Sequence, residues 1–504
     1  MKKIAYLLFF PFWFISCNAQ KNDATINQKL DKIVQKYFDN QEFIGAVLIA
    51  NNANIILNKG YGYADIENKI ENTPTTNFFL ASISKLFTIA CISELKNEGL
   101  LNYNTPLSEY IPDYPRGKEI TIEHLIEHKS GIVDVVNERP YAFKKTFTSI
   151  PDLIEEFKYL PLNFTPGERY QYCTSGYILL AFIIEKVSGM SYSDYIQKNI
   201  FDKLNMTDSY SVINRFPENQ AVGYDKVDKK FIQSEYFSPS QFVGAGNLSS
   251  TLEDMYKWYN GLYKTHKISI DNQCTYLGRI SGWTCTAFLF HEHADYVIII
   301  LSNYGDAPVS EMGNELTNKL WENIQTPNRL SSYELKRFEG FYDYRDDGVL
   351  AVSEIDGHLY AQLSGQFENE IYPISENEFV WKVVDAGVKF VYENKKLYAV
   401  HSQNGNILKA PEIRTAKLSI SELRKIEGKY DYGNDGILTV RESNGKLLAK
   451  LSDQSENEIY PISKNEFFWM FVNARIKFEF NAKGEIIKAI HFQNDLKTNA
   501  PKIK

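Results

Sequence analysis

The sequence is poor in the residues that mark several common functions. Only five cysteines occur in 504 residues, and none stands in a Cys-x-x-Cys pair, so nothing points to a zinc ribbon or a dithiol redox centre. Lysine and arginine gather into no stripe and the net charge is −8, which leaves a nucleic-acid partner without an electrostatic footing. Beyond the first residues, no apolar run reaches the roughly 18 residues that cross a bilayer. Disorder is not the reading either, because 44% apolar and 23% charged residues are ordinary for a soluble globular chain. At roughly 100–200 residues per domain the length corresponds to about three domains.

The first residues differ from the rest. "MKKIAYLLFFPFWFISCNAQK" has two lysines, a mostly apolar run and then small residues. This is the pattern of a secretory leader over residues 1–19, too short for a spanning helix with its flanks. Cys17 follows Ile15-Ser16 as in a bacterial lipobox, although Phe14 stands where leucine is usual; a lipid on Cys17 would tether the mature chain. Cleavage after Ala19 is the alternative. Both readings export the chain, to the periplasm or to an outer-membrane-attached place in the cell envelope, with membrane contact only through the lipid. Exported chains can keep disulfides. Among Cys91, Cys173, Cys274 and Cys285, the last two are the pair favoured by spacing, and four buried thiols are the other reading.

The end of the chain is a tandem repeat. "ELKRFEGFYDYRDDGVLAVSEIDGHLYAQLSG" begins at Glu334 and "ELRKIEGKYDYGNDGILTVRESNGKLLAKLSD" at Glu422, and the register holds through "ENEIYPISENEFVW" and "ENEIYPISKNEFFW". Asp356-Gly357 and Asn444-Gly445 mark the same hairpin in both copies. Apolar residues alternate with period two, so residues 331–413 and 419–504 are each expected to form a small antiparallel β-barrel. The repeated aromatics Tyr342, Tyr430, Phe390, Phe478, Trp381 and Trp469 are expected in their cores. Residues 25–326 mix both periods: strands are expected near 45–63, 284–291 and 296–303, and helices over 82–98, 175–189 and 191–204 and near 308–325. Strands at both ends with helices between predict one sheet assembled from the two ends, with a helical insertion.

Ser82-Ile83-Ser84-Lys85 is the stretch with chemical potential. The spacing alone carries little, since Ser93–Lys96 and Ser443–Lys446 repeat it. Its place carries more. Ser82 follows the strand-like "NFFLA" at the start of a helix, where unpaired N–H groups favour negative charge. Lys85, nearly one turn on, shares its face. A lysine serves as base only when neutral, and the apolar Ile83, Leu86 and Phe87 fit a desolvated one.

The wider context resembles a known family. "FIGAVLIANNANIILNKGYGYADIENKIENTPTTNFFLASISKLFTIACISEL", "ITIEHLIEHKSGI", "PGERYQYCTSGYILLAFIIEKVSG" and "GAGNLSSTLEDMYKW" together resemble the penicillin-recognising serine hydrolases. That family holds class C β-lactamases, D-aminopeptidases, carboxypeptidases and esterases. The resemblance covers residues 25–326 and implies a DD-peptidase/β-lactamase-like α/β (α+β) domain with an antiparallel sheet. It implies Ser82 as the acylated nucleophile and Lys85 as its base. The family's Tyr-x-Asn motif reads Tyr172-Cys173-Thr174. Tyr172 would share the proton with Lys85, while Thr174 offers one hydroxyl where asparagine offers an amide. The Lys/His-x-Gly motif aligns with Tyr276-Leu277-Gly278. Gly278 would let substrate backbone approach, and the Arg279 N–H would complete an oxyanion hole with Ser82. Tyr276 lacks the charge that meets a β-lactam carboxylate. The repeated tail resembles the lipocalin-like domains of D-aminopeptidase-like members.

Other signals weigh less. "HLIEH" (124–128) spells a zinc signature but lies inside a stretch the resemblance already explains, and His291 and His293 read as a solvated turn. The expectation is an exported serine hydrolase acting through an acyl-enzyme on a small peptide, amide or ester substrate, with no cofactor and no metal. A catalytically degenerate sensor, or an envelope ligand-binding protein, is the alternative.

Overall fold

The structure, a computed structural model, describes residues 16–51, 54–134, 146–213, 216–263, 275–280, 283–291, 293–325, 330–382, 384–403, 405–413, 415–493 and 496–503. Residues 1–15 of the expected leader, the Cys17 side chain, and Cys274 with its expected pairing to Cys285 lie outside that description. The chain divides into two compact units, Met1–Asn323 and Ile324–Lys504.

In the first unit, helix α1 (Ser16–Asp39) leads into strands β1 (Gly45–Asn51) and β2 (Asn54–Tyr61). Helices α2 (Ser84–Asn97), α3 (Thr174–Ser188) and α4 (Leu252–Trp258) follow. The chain then returns through β3 (Thr275–Ile280), β4 (Thr284–His291), β5 (Tyr296–Ser302) and helix α5 (Val309–Gln325). The sheet order is β3-β4-β5-β1-β2, antiparallel throughout. The two ends of the segment thus meet at β1 and β5, in register from Gly45 opposite Ser302 to Asn51 opposite Tyr296.

Both central strands are buried on both faces, which is why they read as continuous apolar runs rather than as alternation. Ala46, Leu48 and Ala50 face a cluster built with α2, α3 and α4, including Leu86, Phe87, Leu179 and Trp258. On the opposite face α5 comes close enough at Gly313 that a Cβ there would lie 3.1 Å from Leu289, and Lys36–Glu315 (2.5 Å) joins α1 to α5. His291 corrects the expectation of a solvated turn. It is fully buried, its Nδ1 accepts the Ala294 N–H at 3.1 Å, and Trp321 meets its ring edge-on.

The second unit holds two closed eight-stranded antiparallel barrels, spanning Gly340–Ile413 and Gly428–Ile503. Each closes first strand on last, Phe341 opposite Ile413 and Lys429 opposite Ile503. The Asp356-Gly357 and Asn444-Gly445 turns both have positive φ at both positions, the geometry that matches the strands' twist. All six repeated aromatics are buried in the barrel cores. Each barrel is preceded by a short helix, Ser332–Leu335 or Ile420–Ile426, begun by a capping box (Ser331/Glu334, Ser419/Glu422). The helices were not expected, although Ser-x-x-Glu before an apolar residue is their sequence signature. They deliver Phe338 and Ile426 into the cores, where their carbonyls accept the Tyr342 and Tyr430 hydroxyls at 2.7 and 2.6 Å.

The two copies differ where they meet. Phe341, Val349 and Ala351 of the first barrel pack on Tyr460, Phe468 and Met470 of the second, and Asp343 pairs with Arg475. In the second barrel the positions equivalent to those three are Lys429, Ile437 and Thr439. Phe341→Lys is expected to separate the barrels and speed proteolysis within the 415–419 linker several-fold in the intact protein. An unchanged cleavage rate would count against this junction.

Candidate active site

The nucleophile segment is held under constraint. Ala81–Ile83 forms a single 3-10 turn that runs directly into α2. Ala81, just before Ser82, has φ +48°, a left-handed conformation that costs a non-glycine residue free energy. The surroundings fix it. The Leu80 N–H donates to Leu248 O at 2.8 Å. Thr284 Oγ1 lies 3.1 Å from Phe79 O, and Thr286 Oγ1 lies 3.2 Å from Leu80 O.

Ser82, Lys85 and Tyr172 come together. Lys85 Nζ donates to Ser82 Oγ at 3.2 Å and to Ala245 O at 2.8 Å. Tyr172 OH donates to Ser82 Oγ at 2.8 Å. Lys85 is 2% exposed and lies 4.9 Å from the Tyr172 ring and 5.4 Å from the Tyr177 ring. The segment "GAGN" forms the wall behind it. Ser84 Oγ accepts the Leu248 N–H at 3.1 Å, Thr88 Oγ1 donates to Gly244 O at 2.6 Å, and the Gly244 N–H donates to Asn247 Oδ1 at 3.0 Å. Three residues on one face of α2 therefore grip one loop, and that grip aims Lys85. The other Ser-x-x-Lys pairs go elsewhere. Lys96 lies over Tyr103, and Lys446 pairs with Glu458.

The strand β3 brings Gly278 against the nucleophile. A Cβ at 278 would collide with Leu80 O, stand 2.6 Å from Thr286 Oγ1 and lie 3.2 Å from the Ser82 nitrogen. Only glycine allows this approach. Tyr276 shares the buried face of β3 with Gly278 and belongs to the main core cluster. Arg279 points to the exposed face, where its Nε donates to Gly305 O at 3.0 Å and its guanidinium pairs with Asp306. The structure therefore answers the question Tyr276 raised: the arginine side chain does not supply a cation on the Gly278 face.

Tyr172 is held from behind by residues the sequence reading did not single out for the site. The Gln171 N–H donates to His128 O at 2.9 Å, the Cys173 N–H to His128 Nδ1 at 3.0 Å, and the Thr174 N–H to Asp134 Oδ2 at 2.8 Å. The segment 128–134 is thus a template for 171–174. Thr174 is buried at the first position of α3, its amide fixed by the Asp134 carboxylate. His124 caps the helix Ile122–Ile126, its Nδ1 accepting the Thr121 N–H. The two histidines of "HLIEH" thus each use Nδ1 to accept a backbone N–H. Cys173 donates to Ile132 O, and burial pushes its thiol up to about 12, so it does not compete with Ser82 as a nucleophile.

His128 is 2% exposed, and burial, then the Lys85 charge, push its imidazole down to about 3. An ordinary imidazole titrates near 6.5. The unfolded chain therefore binds a proton that the folded state refuses between those values, and stability falls as pH drops below about 6.5. The groups facing the ring are Lys85, Tyr170, Tyr172, Tyr177 and Cys173. Between pH 7 and 5 this site is expected to cost about 2 kcal/mol, read from urea midpoints. A His128→Asn protein should show the shallower slope, and equal slopes would contradict the assignment.

Residues 30–273 match the Beta-lactamase family. The chain carries a beta-lactamase/penicillin-binding-protein family domain. It is 33% identical over 238 residues to a putative penicillin-binding protein, PbpX, of Bacillus subtilis (strain 168), covering 47% of this chain and 58% of that protein. A second penicillin-binding protein of that strain is 26% identical over 422 residues, covering 72% of this chain and 93% of its own length. The fold is similar to that of an octameric penicillin-binding protein homologue from Pyrococcus abyssi (TM-score 0.51, 21% identity, 76% of this chain and 99% of that one). It is also similar to D-amino acid amidase from Ochrobactrum anthropi (TM-score 0.51, 21% identity, 61% and 99%).

Proposed function

We propose that this chain is an exported serine hydrolase that works through an acyl-enzyme on a peptide-type amide, including one bearing a D-residue, or on an ester. The observation that carries the reading is the convergence of Lys85 Nζ and the Tyr172 hydroxyl on one oxygen, Ser82 Oγ. In this reading Lys85 in its neutral form takes the Ser82 proton as Oγ attacks the carbonyl carbon. Tyr172 passes a proton to the leaving group, and water then cleaves the acyl-enzyme with the same groups reversed. The Ser82 and Arg279 N–H groups stabilise the oxyanion beside Gly278. Cys17 carries the lipid in the same proposal.

Two observations rank the substrates. Tyr276 is neutral and Arg279 is paired with Asp306, so strand β3 offers no cation for a carboxylate of the β-lactam kind. The amidase among proteins of the same fold supports an amide. Peptide-type amides therefore come first, esters second and β-lactams third. A library of N-acyl and free-amine D- and L-amino-acid amides and p-nitrophenyl esters, run beside Ser82→Ala, tests the order. Ser82-dependent turnover of amides supports the reading. Turnover confined to β-lactams overturns the ranking, and turnover equal in both proteins overturns the site.

A further inference from the structure

We propose that His128 is a positioning residue that sets the Tyr172 hydroxyl at Ser82, acting through ring stacking and through the backbone on both sides of the tyrosine. This rests on the serine-hydrolase reading above.

Four observations carry it. The His128 ring stacks on the Tyr172 ring at 4.6 Å with 29° between the planes. Its carbonyl and Nδ1 take the N–H groups of Gln171 and Cys173, so one residue clamps both neighbours of Tyr172. His128 holds the clamp at φ +57°, a left-handed conformation that is uncommon for a residue other than glycine. The same ring lies 5.1 Å from Tyr177, the second aromatic beside the Lys85 ammonium. Because Nδ1 accepts, the ring is neutral with its proton on Nε2. A neutral ring adds no second cation beside Lys85. Tyr172 is 39% exposed, and a side chain open to solvent has many rotamers. Stacking and the two-sided clamp select the one that reaches Ser82 Oγ at 2.8 Å.

A double-mutant cycle on the full chain tests this, with the second-order rate of Ser82 acylation by a fluorophosphonate and the kcat and KM for a p-nitrophenyl ester as readouts. His128→Phe keeps a planar ring and loses the acceptor; His128→Asn keeps an acceptor and loses the stack. Each is expected to lower acylation and kcat by about 10- to 100-fold, as misplacement of a reacting group does, with KM within two-fold. In a Tyr172→Phe background the same substitutions are expected to change the rate less than two-fold, because the hydroxyl they position is gone. A rate loss of equal size in both backgrounds, or unchanged rates for His128→Phe and His128→Asn, would overturn the inference while leaving the hydrolase reading intact. Wild-type protein that shows no Ser82-dependent acylation would overturn both.

Discussion

Lys85→Met is expected to lower Ser82-dependent turnover by about 10³-fold, within the range for removing a positioned acid–base group, and to leave the melting temperature at or above that of the wild type. The two halves of this result have separate causes. Lys85 donates to Ser82 Oγ and Ala245 O and lies between two tyrosine rings, so the proton-transfer chemistry has no substitute on that side. For stability, a buried cation exchanged for an apolar side chain of similar length is often neutral or favourable. Methionine also fills the space without a cavity. If kcat and melting temperature fell together, Lys85 would be holding the structure rather than moving a proton.

The second large effect is at Gly278. Gly278→Ala is expected to reduce kcat by about 10²–10³, the usual consequence of losing an oxyanion donor, and to destabilise by about 1–3 kcal/mol through overpacking. The new Cβ meets Leu80 O and Thr286 Oγ1, both already engaged in fixing the nucleophile segment. Strand β3 must then move off Ser82, and the Arg279 N–H moves with it. Unaltered kinetics with a Cβ in place would show that β3 does not frame the reacting carbonyl.

How much of this was legible beforehand follows from how local each feature is. Ser82 and Lys85 sit within one turn, so their pairing could be read from four consecutive residues and their place after a strand. The barrels could be read from alternation and a repeat, because period two and Asp-Gly or Asn-Gly turns are local properties of a hairpin. His128 could not. Its role depends on the loop 128–134 lying alongside 171–174, and in the sequence it stood inside a zinc-like spelling that pointed elsewhere. Thr284 and Thr286 looked like ordinary β residues of "TCTAFLF" and became ties to Phe79 and Leu80 only through the sheet's return to the nucleophile segment. Arg279 was read for its amide, and where its side chain goes was not legible: the alternation of β3 sends it to Asp306 while Gly278 faces Ser82. His291 was misread because its neighbours look like a turn, whereas Trp321 from α5 covers it.

The core aromatics Tyr342/Tyr430, Trp381/Trp469 and Phe390/Phe478 are retained in both copies of the barrel, and the divergence at Phe341/Lys429 and Ala351/Thr439 falls on the face through which the first copy packs on the second. Outer-face residues of a repeat therefore record its neighbours, which its inner residues do not.

The central claim is that Ser82 Oγ becomes acylated. Intact-mass spectrometry after exposure to a fluorophosphonate, followed by peptide mapping, tests it directly. The account predicts one adduct per chain, located on Ser82, absent from Ser82→Ala and formed far more slowly by Lys85→Met. An adduct on another residue, or the same adduct in Ser82→Ala, would contradict it.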